Sequence, residues 1–209
     1  MAVNYPDFEF ETAALAQGAT RVAGVDEVGR GPLAGPVTAA AVVLDPTNIP
    51  AGLNDSKKLT RARREALYET ILATASVGVA HATVEEIDCH NILRAAHIAM
   101  LRAVAALDPQ PDRLLIDGNL IPRGCTVSGV AIVKGDSRSL SIAAASIVAK
   151  VIRDRIMVTL AQQHPGYGWE TNAGYPSKSH ISALQSLGVT PHHRRSFKPV
   201  HNILYQGNS

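Results

Sequence analysis

Aromatic residues make up only 4% of this chain, so its core has to be assembled from Ala, Val, Ile and Leu. Cysteine is almost absent. Cys89 and Cys125 are too few for a disulfide framework, and they form no CxxC, which excludes a structural zinc site of the thiolate kind. The opening stretch "MAVNYPDFEFETAALAQGAT" lacks the basic residues and the apolar run of a secretory signal. The longest charge-free run near the start, Gly31 to Leu44, is broken by Pro32 and Pro36 and falls short of the ~18 residues that a membrane span needs. These absences lead to the expectation of a cytoplasmic protein. Acids are missing altogether from residues 171–209, where Lys178, Arg194, Arg195 and Lys198 stand.

What is present has the balance of a soluble globular domain, with 46% hydrophobic and 18% charged residues over 209 positions. The net charge is only +2, yet it is unevenly spread. Residues 1–55 carry Arg21 and Arg30 against seven acids, and a basic cluster follows at Lys57, Lys58, Arg61, Arg63 and Arg64. Basic flanks around an acidic centre suit a polyanionic partner. Solvated helix faces account for Arg61 and Arg64 equally well.

Hydrophobic periodicity divides the chain into alternating elements with no repeat and no linker. A short helix is expected around Phe10–Gln17, strands at 21–28 and Val37–Leu44, and a helix from an N-cap at Thr60 to about Thr74. Val77–Val84 reads as a strand. Glu85 to Leu107 reads as helical with a break near His90-Asn91, and Asp108-Pro109 ends it. Arg113–Gly118 and Val127–Asp136 read as two more strands. Ser139 or Ser141 then caps a long helix to His164, and Ser177–Gly188 gives a last one. The mixture predicts an α/β layered domain. We divide it into a lead-in at 1–20, a catalytic domain at 21–170 and a helical, basic C-terminal extension at 171–209.

Four acids share an unusual setting. Asp26 and Glu27 end the first strand, Asp117 ends "LLID", and Asp136 follows "AIVKG". Strand ends beside tight glycine turns let a rigid scaffold aim side chains at one cleft. Side chains alternate along a strand, so Asp26 and Glu27 are expected on opposite faces unless the chain bends at Val28-Gly29. Convergence of four carboxylates demands cations, because two of them ~4 Å apart repel by about 4 kcal/mol at an effective dielectric near 20. An all-oxygen set suits Mg²⁺ or Mn²⁺, and a pair of such ions suits phosphodiester hydrolysis. Taken singly, each acid is also ordinary turn or cap chemistry. The stretch "GVDEVGRG" is not a phosphate-binding loop, since Arg30 and Gly31 replace the required Lys and hydroxyl. Its glycines fit close backbone approach to a ligand instead.

The segments "GVDEVGRGPLAGPVTAAAVVL", "NDSKKL", "LLIDG", "VKGDSRSLSIAAASIVAKVIRDRIM", "YGWETNAGYPSKSH" and "HHRRSF" together resemble the bacterial ribonuclease HII family over about residues 21–199. The resemblance implies an RNase H-like fold: a central mixed five-stranded sheet flanked by helices, with a small helical C-terminal extension. It implies Mg²⁺- or Mn²⁺-dependent cleavage of RNA paired with DNA, and incision 5′ of a single ribonucleotide in duplex DNA that leaves 3′-hydroxyl and 5′-phosphate ends. The family's metal-binding carboxylates fall on Asp26, Glu27, Asp117 and Asp136. Its Gly-Arg-Gly element, which contacts the 2′-hydroxyl, falls on Gly29, Arg30 and Gly31, and its junction-sensing tyrosine on Tyr175. Lys57 and Lys58 are candidate phosphate contacts.

The expected partner is an RNA–DNA hybrid or ribonucleotide-containing duplex, bound by a monomer without a membrane. Asp154 lies four residues after Lys150 on a helix and is assigned to an ion pair with it. Trp169 is assigned to packing, whereas His192 and His193 fit a nucleic-acid track or a packing role equally. Two other readings remain at this point: a ribonuclease HIII-like enzyme, and a hybrid-binding module that does not cleave.

Overall fold

The computed structural model describes residues 5–205. Five strands form one sheet: β1 (Val22–Val28), β2 (Val37–Val43), β3 (Ser76–Ala82), β4 (Arg113–Asp117) and β5 (Ser128–Ile132). Their spatial order is β3-β2-β1-β4-β5. β1, β2 and β3 form an antiparallel meander, while β4 pairs parallel to β1 and β5 parallel to β4. The carboxyl ends of β1, β4 and β5 therefore share one edge of the sheet. Crevices outside the carboxyl ends of parallel strands are the usual ligand sites of α/β sheets.

Helices cover both faces. On one side lie α3 (Val84–His90) and α4 (Ile92–Ala105), whose Ile87, Ala95, Ala99, Met100 and Ala103 pack on Ala23, Val25, Ala39, Ala41 and Ile116. On the other lie α2 (Arg61–Thr74) and α5 (Leu140–Gln163), with Leu67, Ile71, Ala144, Ile147 and Val148 against Ala40 and Val42. Alanine dominates both interfaces, which is how a chain so poor in aromatics fills its core: small side chains bring helix and sheet backbones close. Gly24 is the extreme case, since a Cβ there would sit 2.1 Å from the Ser141 carbonyl carbon of α5.

The helix boundaries follow their caps. Thr60 accepts from Arg63 N, Ser139 from Ile142 N and Ser177 from His180 N, while Thr83 and Glu86 form a reciprocal capping box. The expected break at His90-Asn91 is present. Asn91 adopts φ 68°, ending α3 and capping α4 in one step. Leading into the sheet is α1 (Glu9–Ala16). Its buried Glu11 accepts hydrogen bonds from Ser139 Oγ (2.6 Å), Ser141 N (2.9 Å) and Ser141 Oγ at the start of α5. A carboxylate at that end also answers the partial positive charge of the helix N-terminus.

After α5 come α6 (Trp169–Asn172), α7 (Lys178–Leu187) and α8 (Lys198–Tyr205). Trp169, Leu184 and Val200 from this segment form a third core with Met157 and with Leu33 and Ala34 of the β1–β2 loop. No helix among the described residues is long and apolar enough to cross a membrane.

Candidate active site

Asp117 ends β4, and the β1–β4 register runs through Val25 opposite Ile116, so one step further along both strands stand Asp26 and Asp117. Asp136 follows β5 in a short 3-10 turn, Gly135–Ser137, and Gly135 N donates to Asp117 Oδ1 at 2.7 Å. Glu27 lines a cavity of about 310 Å³ together with Arg30, Ala96, His97, Met100 and Asp117, on the α4 side of the sheet. Val25 packs on that same side, so alternation sends Asp26 to the other face. No bend brings the two acids together. They straddle the end of β1, and the turn at Gly29 (φ 100°) comes after both.

The electrostatics mark these residues as one group. Asp26 is buried, and its carboxyl lies well above the usual range, first because burial disfavours the charge and then because Glu27, Asp117 and Asp136 repel it. Burial likewise raises Glu27, with Asp117 adding to the shift and Arg30 opposing it. Burial, then Asp55 and Asp117, raise Asp136, against Lys57. Two bases answer these charges. Arg30 Nη1 lies 3.2 Å from Glu27 Oε1, and Lys57 Nζ lies 3.4 Å from Asp136 Oδ2 and 3.8 Å from Asp55 Oδ1. Burial pulls the Lys57 ammonium down, but Asp55, Asp136 and Asp26 outweigh it and leave it raised. Lys58 Nζ donates to Ser137 Oγ at 2.9 Å, beside Asp136.

The donor set suits an oxygen-seeking divalent cation in its chemistry. Glu27 Oε2 is buried with no hydrogen-bond partner. Asp26, Asp117 and Asp136 each spend one oxygen, on Glu27 N, Gly135 N and Lys57 Nζ, and the other receives no hydrogen bond among the described residues. The four do not sit around a common point: no three His, Cys, Asp or Glu side chains among the described residues form a metal-binding group. The two observations differ in reach. Charges couple over several ångströms, whereas ligation needs oxygens about 2.0–2.6 Å from the ion. Arg30 engages only Oε1 of Glu27 and Lys57 only Oδ2 of Asp136, so each carboxylate keeps one oxygen for a cation.

Beside the acids, the Gly29–Gly35 loop presents mostly backbone, with Arg30 its one exposed side chain, turned toward Glu27. Two buried arginines hold it from behind. Arg194 donates to Gly29 O (2.6 Å), Arg30 O (3.0 Å), Pro32 O (2.8 Å) and twice to Gly35 O (3.0 and 2.9 Å). Arg153 donates to Ala34 O (3.1 Å), Pro36 O (3.0 Å) and Ala173 O (3.0 Å). Only glycine fits at position 29, where φ is positive and a Cβ would lie 2.1 Å from Arg153 Nε. Burial, and then Arg153, push the Arg194 guanidinium down to about 9, and burial pushes Arg153 down to about 10, so both stay charged at neutral pH. The Tyr175 ring edge lies against Gly31, 3.3 Å from where a Cβ on that glycine would be.

Several expectations about the basic residues change. Arg194 is fully buried, so it does not belong to a basic surface facing a polyanion, and His193 beside it is equally buried. Carbonyl groups, not phosphates, take up the Arg194 charge. Arg64 is not on a solvated face, because it donates to Ser56 O (2.9 Å) and Leu59 O (2.6 Å) and holds the loop that carries Lys57 and Lys58. Asp154 does pair with Lys150, at 2.6 Å, and Trp169 is a core residue. The loop-holding roles of Arg153 and Arg194 had no sequence signal beyond "VIRDRIM" and "HHRRSF", where both look like surface charges.

A mixed five-stranded sheet with helices on both faces and carboxylates at the ends of β1 and β4 and just after β5 is the RNase H-like α/β fold. Residues 23–200 match the family described as Ribonuclease HII. A ribonuclease HII of Ruegeria sp. (strain TM1040) is 74% identical over 98% of this chain and 89% of its own length. One from Cereibacter sphaeroides (strain ATCC 17025 / ATH 2.4.3) is 68% identical over 99% of this chain and 97% of its own. Among solved structures, the ribonuclease H2 from Pyrococcus horikoshii OT3 superposes with a TM-score of 0.76 at 29% identity, covering 90% of this chain and 100% of that one. A Bst-RNase HIII solved in complex with Mn²⁺ shares the fold, with a TM-score of 0.73 at 20% identity, over 92% of this chain and 71% of its own. The chain belongs to the ribonuclease HII family, endoribonucleases that hydrolyse RNA paired with DNA.

Proposed function

We propose that this chain, acting as a monomer, incises duplex DNA on the 5′ side of an embedded single ribonucleotide, as well as cutting longer RNA–DNA hybrids. The observation that carries the reading is the adjacency of a partly buried, mutually repelling carboxylate set to a glycine-rich backbone loop. The first has the chemistry for phosphodiester hydrolysis, and the second leaves room for a sugar hydroxyl. Asp26, Glu27, Asp117 and Asp136 are the residues that would hold two divalent ions, Mg²⁺ or Mn²⁺. When bound, these supply Lewis-acid polarisation of the scissile phosphate and neutralise charge on the departing 3′ oxygen.

The protein's own groups supply position and selectivity. The Gly29–Arg30–Gly31 backbone approaches the ribose closely enough to hydrogen-bond its 2′-hydroxyl, the group that separates RNA from DNA. Tyr175, half-exposed against Gly31, packs on the following sugar and favours one without that hydroxyl. Lys57, freed from Asp136, meets the phosphate, and Lys58 lies alongside. Products would carry 3′-hydroxyl and 5′-phosphate ends.

The test is a labelled DNA duplex with one ribonucleotide, incubated with Mg²⁺, Mn²⁺ or EDTA and mapped for the cut. Metal-dependent cleavage 5′ of the ribonucleotide is expected. Asp117→Asn should lower turnover by more than the about 10–100-fold that losing an outer-shell partner costs, with the fold and hybrid binding kept. Wild-type turnover in Asp117→Asn would remove that residue from the site, and an uncut duplex would remove the substrate assignment.

A further inference from the structure

Behind Tyr175 lies a chain of buried hydrogen bonds that the catalytic reading does not use. His180 and His193 are both fully buried, with Nε2 facing Nε2 at 3.1 Å. Their partners fix the tautomers. His180 Nδ1 faces the Tyr175 carbonyl at 2.9 Å and so carries a proton, which makes its Nε2 an acceptor, and the Trp169 indole N–H donates to it at 3.0 Å. His193 Nδ1 accepts from Thr190 N at 3.0 Å, so its proton is on Nε2, directed at His180. The chain therefore runs in one sense, from Thr190 through His193 and His180 to the Tyr175 carbonyl. An extra proton on either ring would set donor against donor. Burial, then His180 and His192, push His193 down to about 3, and burial lowers His180, so both rings are neutral under working conditions.

The far side of the same segment is tied to the glycine-rich loop. Leu33 N donates to Gly174 O at 2.7 Å, Arg153 to Ala173 O at 3.0 Å, and Arg194 N to Leu33 O at 2.8 Å. Tyr175 is thus held at its carbonyl from below, while its ring rests on Gly31. Its own hydroxyl has no hydrogen-bond partner among the described residues, so the backbone sets where the ring stands.

We propose that His180, oriented by His193 and Trp169, is a positioning residue that fixes the Tyr175 ring beside Gly31 and thereby sets the preference for a deoxyribose after the ribonucleotide. This rests on the reading of Tyr175 as the contact to that sugar. The experiment measures kcat/KM on a DNA duplex with one ribonucleotide and on a uniform RNA–DNA hybrid, for wild type, Tyr175→Ala, His180→Leu, His180→Asn and the Tyr175→Ala/His180→Leu pair. The lone tryptophan, Trp169, reports by fluorescence whether the buried network is intact.

His180→Leu is expected to lower the single-ribonucleotide to hybrid ratio by about tenfold, the effect of one well-made hydrogen bond. His180→Asn, which keeps a donor near the Nδ1 position, should restore most of it. The double variant should show no further loss beyond Tyr175→Ala, because His180 acts through that residue. An unchanged ratio in His180→Leu alongside a lowered one in Tyr175→Ala overturns the positioning role alone. Equal loss on both substrates in His180→Leu, with no rescue by His180→Asn, makes the role merely structural and also overturns it. An unchanged ratio in Tyr175→Ala defeats the reading of Tyr175, and the proposal falls with it.

Discussion

Replacing Arg194 with methionine keeps most of the side-chain volume and removes every donor. Five hydrogen bonds to four carbonyls, of Gly29, Arg30, Pro32 and Gly35, are then lost, all buried except the half-buried one to Arg30. Each buried carbonyl left unsatisfied costs about 1–3 kcal/mol, so even the lower bound for the three buried ones is about 3 kcal/mol. In a domain of this size, 1 kcal/mol moves the melting temperature by roughly 2–4 °C, so a fall of at least about 6 °C is expected if the loop stays closed. The cost has a ceiling, because the Gly29–Gly35 loop can open and let water satisfy its carbonyls. Hydrogen exchange separates the two responses. Opening would strip protection from the Leu33 and Gly35 amides, which now donate to Gly174 O and His192 O, and leave β1 protected. Arg194→Lys should behave nearly as badly, since one ammonium cannot span four carbonyls. Either way, cleavage should fall with the loop. Wild-type melting and wild-type exchange at Leu33 and Gly35 in Arg194→Lys would refute the account of this residue as the loop's clamp.

Asp26→Asn should raise the melting temperature at pH 7.5 in EDTA while abolishing cleavage. The folded carboxyl is raised by burial and then by its three acidic neighbours, so its contribution to stability is complete below its unfolded value near 3.8 and is lost as pH rises through the folded value; a lower melting temperature would refute this. His193 has the opposite sign. With a folded value of about 3 and an ordinary value of 6.5, its contribution is intact above pH 6.5 and shrinks as pH falls toward 3, by about 2 kcal/mol at pH 5. Urea midpoints at pH 7 and pH 5 in wild type and His193→Phe measure it, with a flatter pH dependence expected in the variant. Glu11→Ala should cost about 2–4 kcal/mol, because it strands the buried Ser139 and Ser141 hydroxyls and an α5 amide; chemical denaturation gives the value, and a change under 0.5 kcal/mol would show that α1 does not anchor α5.

Sequence alone determined the elements and the acids. Alternation in "VAGVDEV" and the Val and Ala richness of "VTAAAVV" marked strands, Thr60 and the Ser139/Ser141 pair announced helix starts, and Asn91 marked a break, because these are local preferences of backbone and cap that need no distant partner. The placing of Asp26, Glu27, Asp117 and Asp136 at strand ends was equally readable. What brings them to one edge is the parallel pairing of β1, β4 and β5, a matter of strand order that no local signal carries. The straddling of β1 by Asp26 and Glu27, where a bend had been the alternative, also came from the strand beside them. The inward turn of Arg153, Arg194, His180 and His193 was decided wholly in three dimensions. A charged side chain looks solvated in sequence, and it becomes a core residue only when distant carbonyls fold around it and take up its charge.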